Sequence, residues 1–191
     1  KLFTKIADGA DVSSILRELD AAPELWDQFT MRKDAPGTPH KAMNDIWVRY
    51  NDIVPFIEAG DFSRLNDPHI PVWYPAWDAL PSLRPFVYQI MAAVRGEMLG
   101  GILITRVPPG GRIEKHADDS WHVRYFDSKF YLQLQNDPSC VFYAEGPDGL
   151  EVNEPKPGEV WRFDNRYPHW VENNSTRDRI TVIICVRTDF F

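Results

Sequence analysis

The chain has 191 residues, enough for one domain with a sizeable core, and its 43% hydrophobic and 26% charged content is that of a globular protein. A net charge of −7 with no run of Lys or Arg argues against nucleic acid as a partner. No apolar stretch is long enough to span a bilayer, so no membrane partner is expected. The first predicted element is a helix over residues 11–30, where Ile15, Leu16, Leu19, Leu25, Trp26 and Phe29 recur at helical spacing. Asp11 or Ser13 is the expected cap. A break at 32–38, with Pro36 and Gly37, precedes a strand over 45–50, in which Ile46 and Val48 alternate with Trp47 and Arg49. A helical turn is expected over 53–59. Pro68, Pro71, Pro75, Pro81 and Pro85 then predict an ordered connection without regular helix or central strand. A second helix is expected from Pro85 to Arg95, ended by Gly96.

From Leu99 the pattern changes. Short apolar runs at 101–107, 129–135, 140–144, 159–163 and 179–186 are separated by Gly-, Pro- and Asn-rich turns. Strands at this spacing with no helix between them predict a β-sandwich or barrel. The expectation is a single domain over 1–191: a helical and Pro-rich part to residue 98, then a β core over 99–191. Seven Trp, seven Tyr and eleven Phe agree with a mainly β chain. Cys140 and Cys185 sit in apolar runs at unrelated spacing, which predicts buried reduced thiols and a cytosolic setting.

Three features carry chemistry. His116 and Asp118 flank Ala117, and alternate residues of an extended segment point the same way, so both can meet one metal ion. His169 follows a turn and a strand, and supplies a second imidazole. Two imidazoles and one carboxylate leave coordination positions open, which suits iron(II) oxygenases that take a co-substrate and dioxygen. The same donors suit a zinc hydrolase. Arg179 heads the last apolar run, where a guanidinium is costly to bury unless it meets an anion. Such an anion is the distal carboxylate of 2-oxoglutarate, held by two parallel bonds. Arg124, His122, Trp121, Trp161, Asn165, and Arg49 with His40 are candidates for lining the pocket or binding substrate.

The stretch Leu103–Asp189 resembles the aspartyl/asparaginyl β-hydroxylase family, especially its short bacterial and phage-type members. The resemblance rests on an ordered series: Leu103-Ile104-Thr105-Arg106-Val107-Pro108-Pro109-Gly110-Gly111, Glu114-Lys115-His116-Ala117-Asp118, Lys129 to Gln135, Pro157 to Asn165, and His169-Trp170-Val171-Glu172-Asn173 with Arg179. It implies a double-stranded β-helix, the cupin-like jelly roll, with N-terminal helices packed on it. It implies His116, Asp118 and His169 as iron ligands and Arg179 as the 2-oxoglutarate anchor. Where the family carries an Arg-x-His pair near the co-substrate, this chain has Lys129 and Tyr131, either of which can bond a carboxylate. The implied function is an Fe(II)- and 2-oxoglutarate-dependent dioxygenase that hydroxylates a peptide residue or an amino-acid-like small molecule. A cupin-like binding module without turnover is the alternative from another class, because fold does not fix function.

Overall fold

The structure is a computed structural model and describes residues 1–188. Asp189, the far end of the stretch compared above, lies outside the described residues. The strands are β1 (Phe3–Ala7), β2 (Asn44–Tyr50), β3 (Val72–Trp73), β4 (Met98–Val107), β5 (Arg112–His116), β6 (Ser128–Gln135), β7 (Cys140–Gly146), β8 (Gly149–Asn153), β9 (Val160–Phe163), β10 (His169–Asn173) and β11 (Arg179–Arg187). The helices are α1 (Ser13–Ala21), α2 (Met31–Asp34), α3 (Val54–Ala59), α4 (Ala76–Ala79), α5 (Arg84–Ala93) and α6 (Trp121–Tyr125).

Two antiparallel sheets form the jelly roll. The larger runs β1-β9-β6-β11-β4-β2-β3, and the smaller β5-β10-β7-β8. Strand parity builds the layers, because successive side chains point to opposite faces. On β11, Ile180, Val182, Ile184 and Val186 join Phe130, Leu132 and Leu134 of β6 and Ile102 and Ile104 of β4 in one buried cluster. Ile15 and Leu19 of α1 and Val87 and Ile90 of α5 cover that face. The alternate residues, Arg179, Ile183 and Cys185 on β11 and Lys129 and Tyr131 on β6, turn inward to a cavity. Both thiols are free and buried.

The first hundred residues differ most from expectation. The strand expected over 45–50 is β2, but β1 and β3 were not expected, and all three are part of the larger sheet. β1 and β8 went unread because they are edge strands with mostly exposed side chains, which leaves no apolar pattern to read. The helix expected over 11–30 ends as α1 at Ala21, and Pro23 opens a separate 3₁₀ turn. The residue before a proline is pushed out of helical geometry, and Ala22 sits at φ −129°, ψ 58°. Asp11 accepts from the Ser13 N–H at 2.9 Å, while Ser13 is already helical. The Pro-rich connection does hold single turns, α4 after Pro75 and a 3₁₀ turn from Pro81, since proline is tolerated in a first turn. At the end of α5 the left-handed residue is Arg95 (φ 52°), not Gly96.

Gly158 does need to be glycine. Its φ is +83°, and a Cβ there would lie 2.4 Å from the Ala10 carbonyl oxygen. The close approach lets the segment before α1 bond to the turn before β9, where the Ala10 N–H donates to the Gly158 carbonyl at 3.1 Å.

Candidate metal centre and its cavity

Cross-strand register brings the three candidate donors together. His169 on β10 lies directly opposite His116 on β5, and their ring centroids are 4.2 Å apart. Asp118 follows β5, and its N–H donates to the Asn165 carbonyl at 3.0 Å, which fixes the backbone beyond the strand. One donor atom each from His116, Asp118 and His169 fall within 4.8 Å of one another. Asp119, the next carboxylate along, is 92% exposed and pairs loosely with Arg124.

Each imidazole is oriented by a backbone carbonyl two residues earlier. His116 Nδ1 lies 2.7 Å from the Glu114 carbonyl and His169 Nδ1 lies 2.9 Å from that of Tyr167. A carbonyl only accepts, so each Nδ1 carries a hydrogen and Nε2 is the ring nitrogen left to face the site. Burial, with the neighbouring Lys129 ammonium, holds the His169 pKa down at about 4, against the pull of Asp118. That imidazole is neutral at neutral pH, as metal ligation requires.

Asp118 presents its two oxygens differently. Oδ2 accepts from Lys129 Nζ at 2.8 Å and from Asn165 Nδ2 at 2.5 Å. Oδ1 points to His116 Nε2 at 3.6 Å. Burial alone would raise the carboxyl pKa; the Lys129 ammonium, His169 and the two hydrogen bonds outweigh it and hold it well below the usual range. Lys129, foreseen as a co-substrate contact, therefore directs its ammonium at the carboxylate. Its own pKa rises, since the pull of Asp118 exceeds the cost of burial. Lys129→Met leaves a buried carboxylate without its cation and is expected to cost roughly 3 kcal/mol of metal-free stability, read by chemical denaturation. The difference from wild type should be complete only once the carboxyl is ionised in the variant too, above the ordinary value of about 4, because burial there is no longer offset by the ammonium. It should vanish as pH falls toward the depressed folded value.

Arg179 lies at the start of β11 and is 2% exposed. Its Nε and Nη2 are buried with no hydrogen-bond partner among the described residues, and its guanidinium carbon stands 5.5 Å over the Phe142 ring. Burial lowers its pKa. Tyr131 lies between the two charged centres: it faces the cavity, is 7% exposed, and has Lys129, Asp118 and Arg179 as electrostatic neighbours.

The cavity has a volume of about 1070 Å³, and the triad, Arg179, Tyr131 and Asn165 all line it. His122 and Arg124 of α6 line it too, as foreseen, together with Trp121 and His40. Burial pushes His40 down to about 2 and His122 to about 4, so both rings are neutral. His69 was not foreseen. Its Nδ1 meets the Asp67 carbonyl at 2.9 Å and its buried Nε2 is left without a donor. A histidine in a Pro-rich connection carries no pattern that would single it out.

Arg49 and Trp161 are not among the residues lining the cavity. A bulge between Trp47 and Arg49 on β2 sets Arg49 opposite Ile102, which faces the helices. The guanidinium instead stacks over Trp73 at 4.7 Å. Trp161 lies beyond Tyr131 on β9, between Lys5 of β1 and that tyrosine, and donates its Nε1–H to Glu159 at 2.9 Å.

The family profile described as aspartyl/asparaginyl beta-hydroxylase matches residues 72–188. The chain belongs to this family. An aspartyl/asparaginyl β-hydroxylase family member is an oxygenase by class, a non-haem iron(II)- and 2-oxoglutarate-dependent hydroxylase, and the motif series noted above lies within the matched span. The fold recurs in solved structures. A prolyl-4-hydroxylase from Pseudomonas putida is 16% identical, with 98% of this chain and 93% of that one covered at a TM-score of 0.58. A 2OG-Fe(II) oxygenase family oxidoreductase from Burkholderia pseudomallei is 14% identical, covering 91% and 78% at a TM-score of 0.58. A prolyl hydroxylase from Trichoplax adhaerens, in complex with a hypoxia inducible factor peptide fragment, is 13% identical, covering 97% and 83% at a TM-score of 0.58. At these identities the family member shares their jelly-roll fold. No curated protein matches it in sequence. No helix among its described residues is long and apolar enough to cross a membrane.

Proposed function

We propose that His116, Asp118 and His169 hold iron(II), that Arg179 binds the distal carboxylate of 2-oxoglutarate, and that the enzyme hydroxylates an amino-acid residue of a peptide or an amino-acid-like small molecule. The observation that carries the co-substrate assignment is Arg179. A guanidinium 2% exposed, with two nitrogens unpartnered, lines the same cavity as the triad. A dicarboxylate that chelates the metal at one end and reaches this arginine at the other satisfies both charges. A zinc hydrolase has no use for that arginine. The donor set also fits: two imidazoles and one carboxylate suit iron(II) and leave positions for the co-substrate and dioxygen.

When bound with 2-oxoglutarate, the iron supplies the oxidising power that places one oxygen atom of dioxygen in a substrate C–H bond, the co-substrate leaving as succinate and carbon dioxide. The chain's own residues do the rest. The Glu114 and Tyr167 carbonyls aim the two imidazoles, while Lys129 and Asn165 hold Asp118 by one oxygen and leave the other for the metal. Tyr131, Phe142, Ile183 and Val171 wall the cavity with apolar surface that excludes water around the co-substrate.

The test is succinate formation from 2-oxoglutarate in a screen of amino acids and peptides, read by succinate release and product mass. The expected result is succinate that requires iron(II), dioxygen and one class of these compounds, with a product 16 mass units heavier. No succinate with any of them, or a reaction indifferent to removal of oxygen, overturns the reading.

A further inference from the structure

The cavity holds a second enclosed arginine that the roles above leave unused. Arg32 of α2 lines it, and its side chain is 20% exposed. Nη1 donates to Asp45 Oδ2 at 2.6 Å, and Asp45 itself is 5% exposed. Asp45 is fixed on β2, where its N–H donates to Asp27 Oδ1 at 3.1 Å. The Thr38 hydroxyl donates to the Arg32 carbonyl at 2.6 Å and ties down the segment after α2. The guanidinium is thus braced at one corner, and Asp45 is its one acceptor among the described residues. An arginine has five N–H donors, so the rest of the fork remains for a ligand.

Its position is close to the chemistry. Asp118 and Tyr50 are among its electrostatic partners. His40, on which the Arg32 charge acts, packs edge-on against His116 with ring centroids 5.1 Å apart. The other cations of the cavity wall are engaged or exposed. Lys129 is bonded to Asp118, Arg179 is assigned to the co-substrate, and Arg124 is 75% exposed beside Asp119.

We propose that Arg32, braced by Asp45, binds a carboxylate of the substrate, so that the enzyme selects a carboxylate-bearing compound over its amide. This rests on the iron and 2-oxoglutarate reading of the site. The carboxylate could be the main-chain group of a free amino acid or the side-chain group of an acidic residue, and the probes separate these sources.

The protein is loaded with nickel(II) and 2-oxoglutarate, which do not turn over, and its melting temperature is followed. The probes are the twenty L-amino acids and their primary amides, and the N-acetyl methylamides of L-aspartate and L-glutamate with those of L-asparagine and L-glutamine as their amides. At least one carboxylate probe should raise the melting temperature while its amide does not. Arg32→Met alone would strand Asp45, so the double variant Arg32→Met/Asp45→Asn is used. It should weaken that response by about 10- to 100-fold in apparent Kd, the loss expected for hydrogen bonds to a charged group. It should keep the shift produced by 2-oxoglutarate itself. The proposal is overturned if amides bind as well as acids, if the double variant responds like wild type, or if no carboxylate probe binds. Wild-type protein that shows no 2-oxoglutarate shift would instead overturn the reading on which the proposal rests.

Discussion

His169→Ala should abolish the metal centre while leaving the fold in place. In an anaerobic titration with iron(II) and 2-oxoglutarate, wild type should develop a weak visible charge-transfer band and the variant should not. Loss of second-sphere partners alone typically weakens metal binding by about 10- to 100-fold, so loss of a ligand should exceed about 100-fold. The ring contributes more than a lone pair. Its orientation is set by the Tyr167 carbonyl and by packing against Phe163, with ring centroids 4.8 Å apart. His69→Ala is the control, since His69 lines the cavity without joining the triad. A band that survives in His169→Ala, or one that disappears in His69→Ala, would show that the ligands are wrongly assigned.

Arg179→Met should act in opposite directions on binding and on stability. Two hydrogen bonds from a cation to a carboxylate are worth together about 3–5 kcal/mol, so 2-oxoglutarate affinity should fall by roughly 100- to 4000-fold. Without co-substrate, however, the wild-type guanidinium is desolvated, with Nε and Nη2 unsatisfied and only the Phe142 ring in partial compensation. Replacing an uncompensated buried charge with an apolar chain of similar length should raise ligand-free stability by about 1–2 kcal/mol. The two measurements are isothermal titration with 2-oxoglutarate and denaturation of the metal- and ligand-free protein. A variant that loses stability and keeps its affinity would mean that Arg179 is a structural residue.

The jelly roll was legible from residue 99 onward because its central strands are buried on one or both faces. Their apolar runs, broken by turn residues, leave little choice of register. His116, Asp118 and His169 were legible as candidate donors. What joins them, the pairing of His169 with His116 across β5 and β10, is a long-range property that only the fold supplies. Arg179 could be read from its cost, a charge set in a run of Ile and Val. Arg49 misled because period-2 parity puts it on the face of Trp47, and a single bulge moved it to the other side. Arg32 escaped notice in a polar, Pro- and Gly-broken segment, where charged residues are common and usually solvated. Its partner Asp45 is thirteen residues away on a strand, too far for any local pattern to join them.

The strand that carries His116 is an edge of the smaller sheet. β5 pairs with β10 alone, and its side chains are half-buried or exposed. An ion gripped by both strands would act as a rivet between segments fifty-three residues apart in sequence, from His116 to His169. Part of its binding energy would then go into ordering that edge. Iron-starved enzyme would differ from loaded enzyme in more than an empty socket: the rim of the barrel beside the substrate's entrance would fray, and metal supply would govern how long that rim survives a protease.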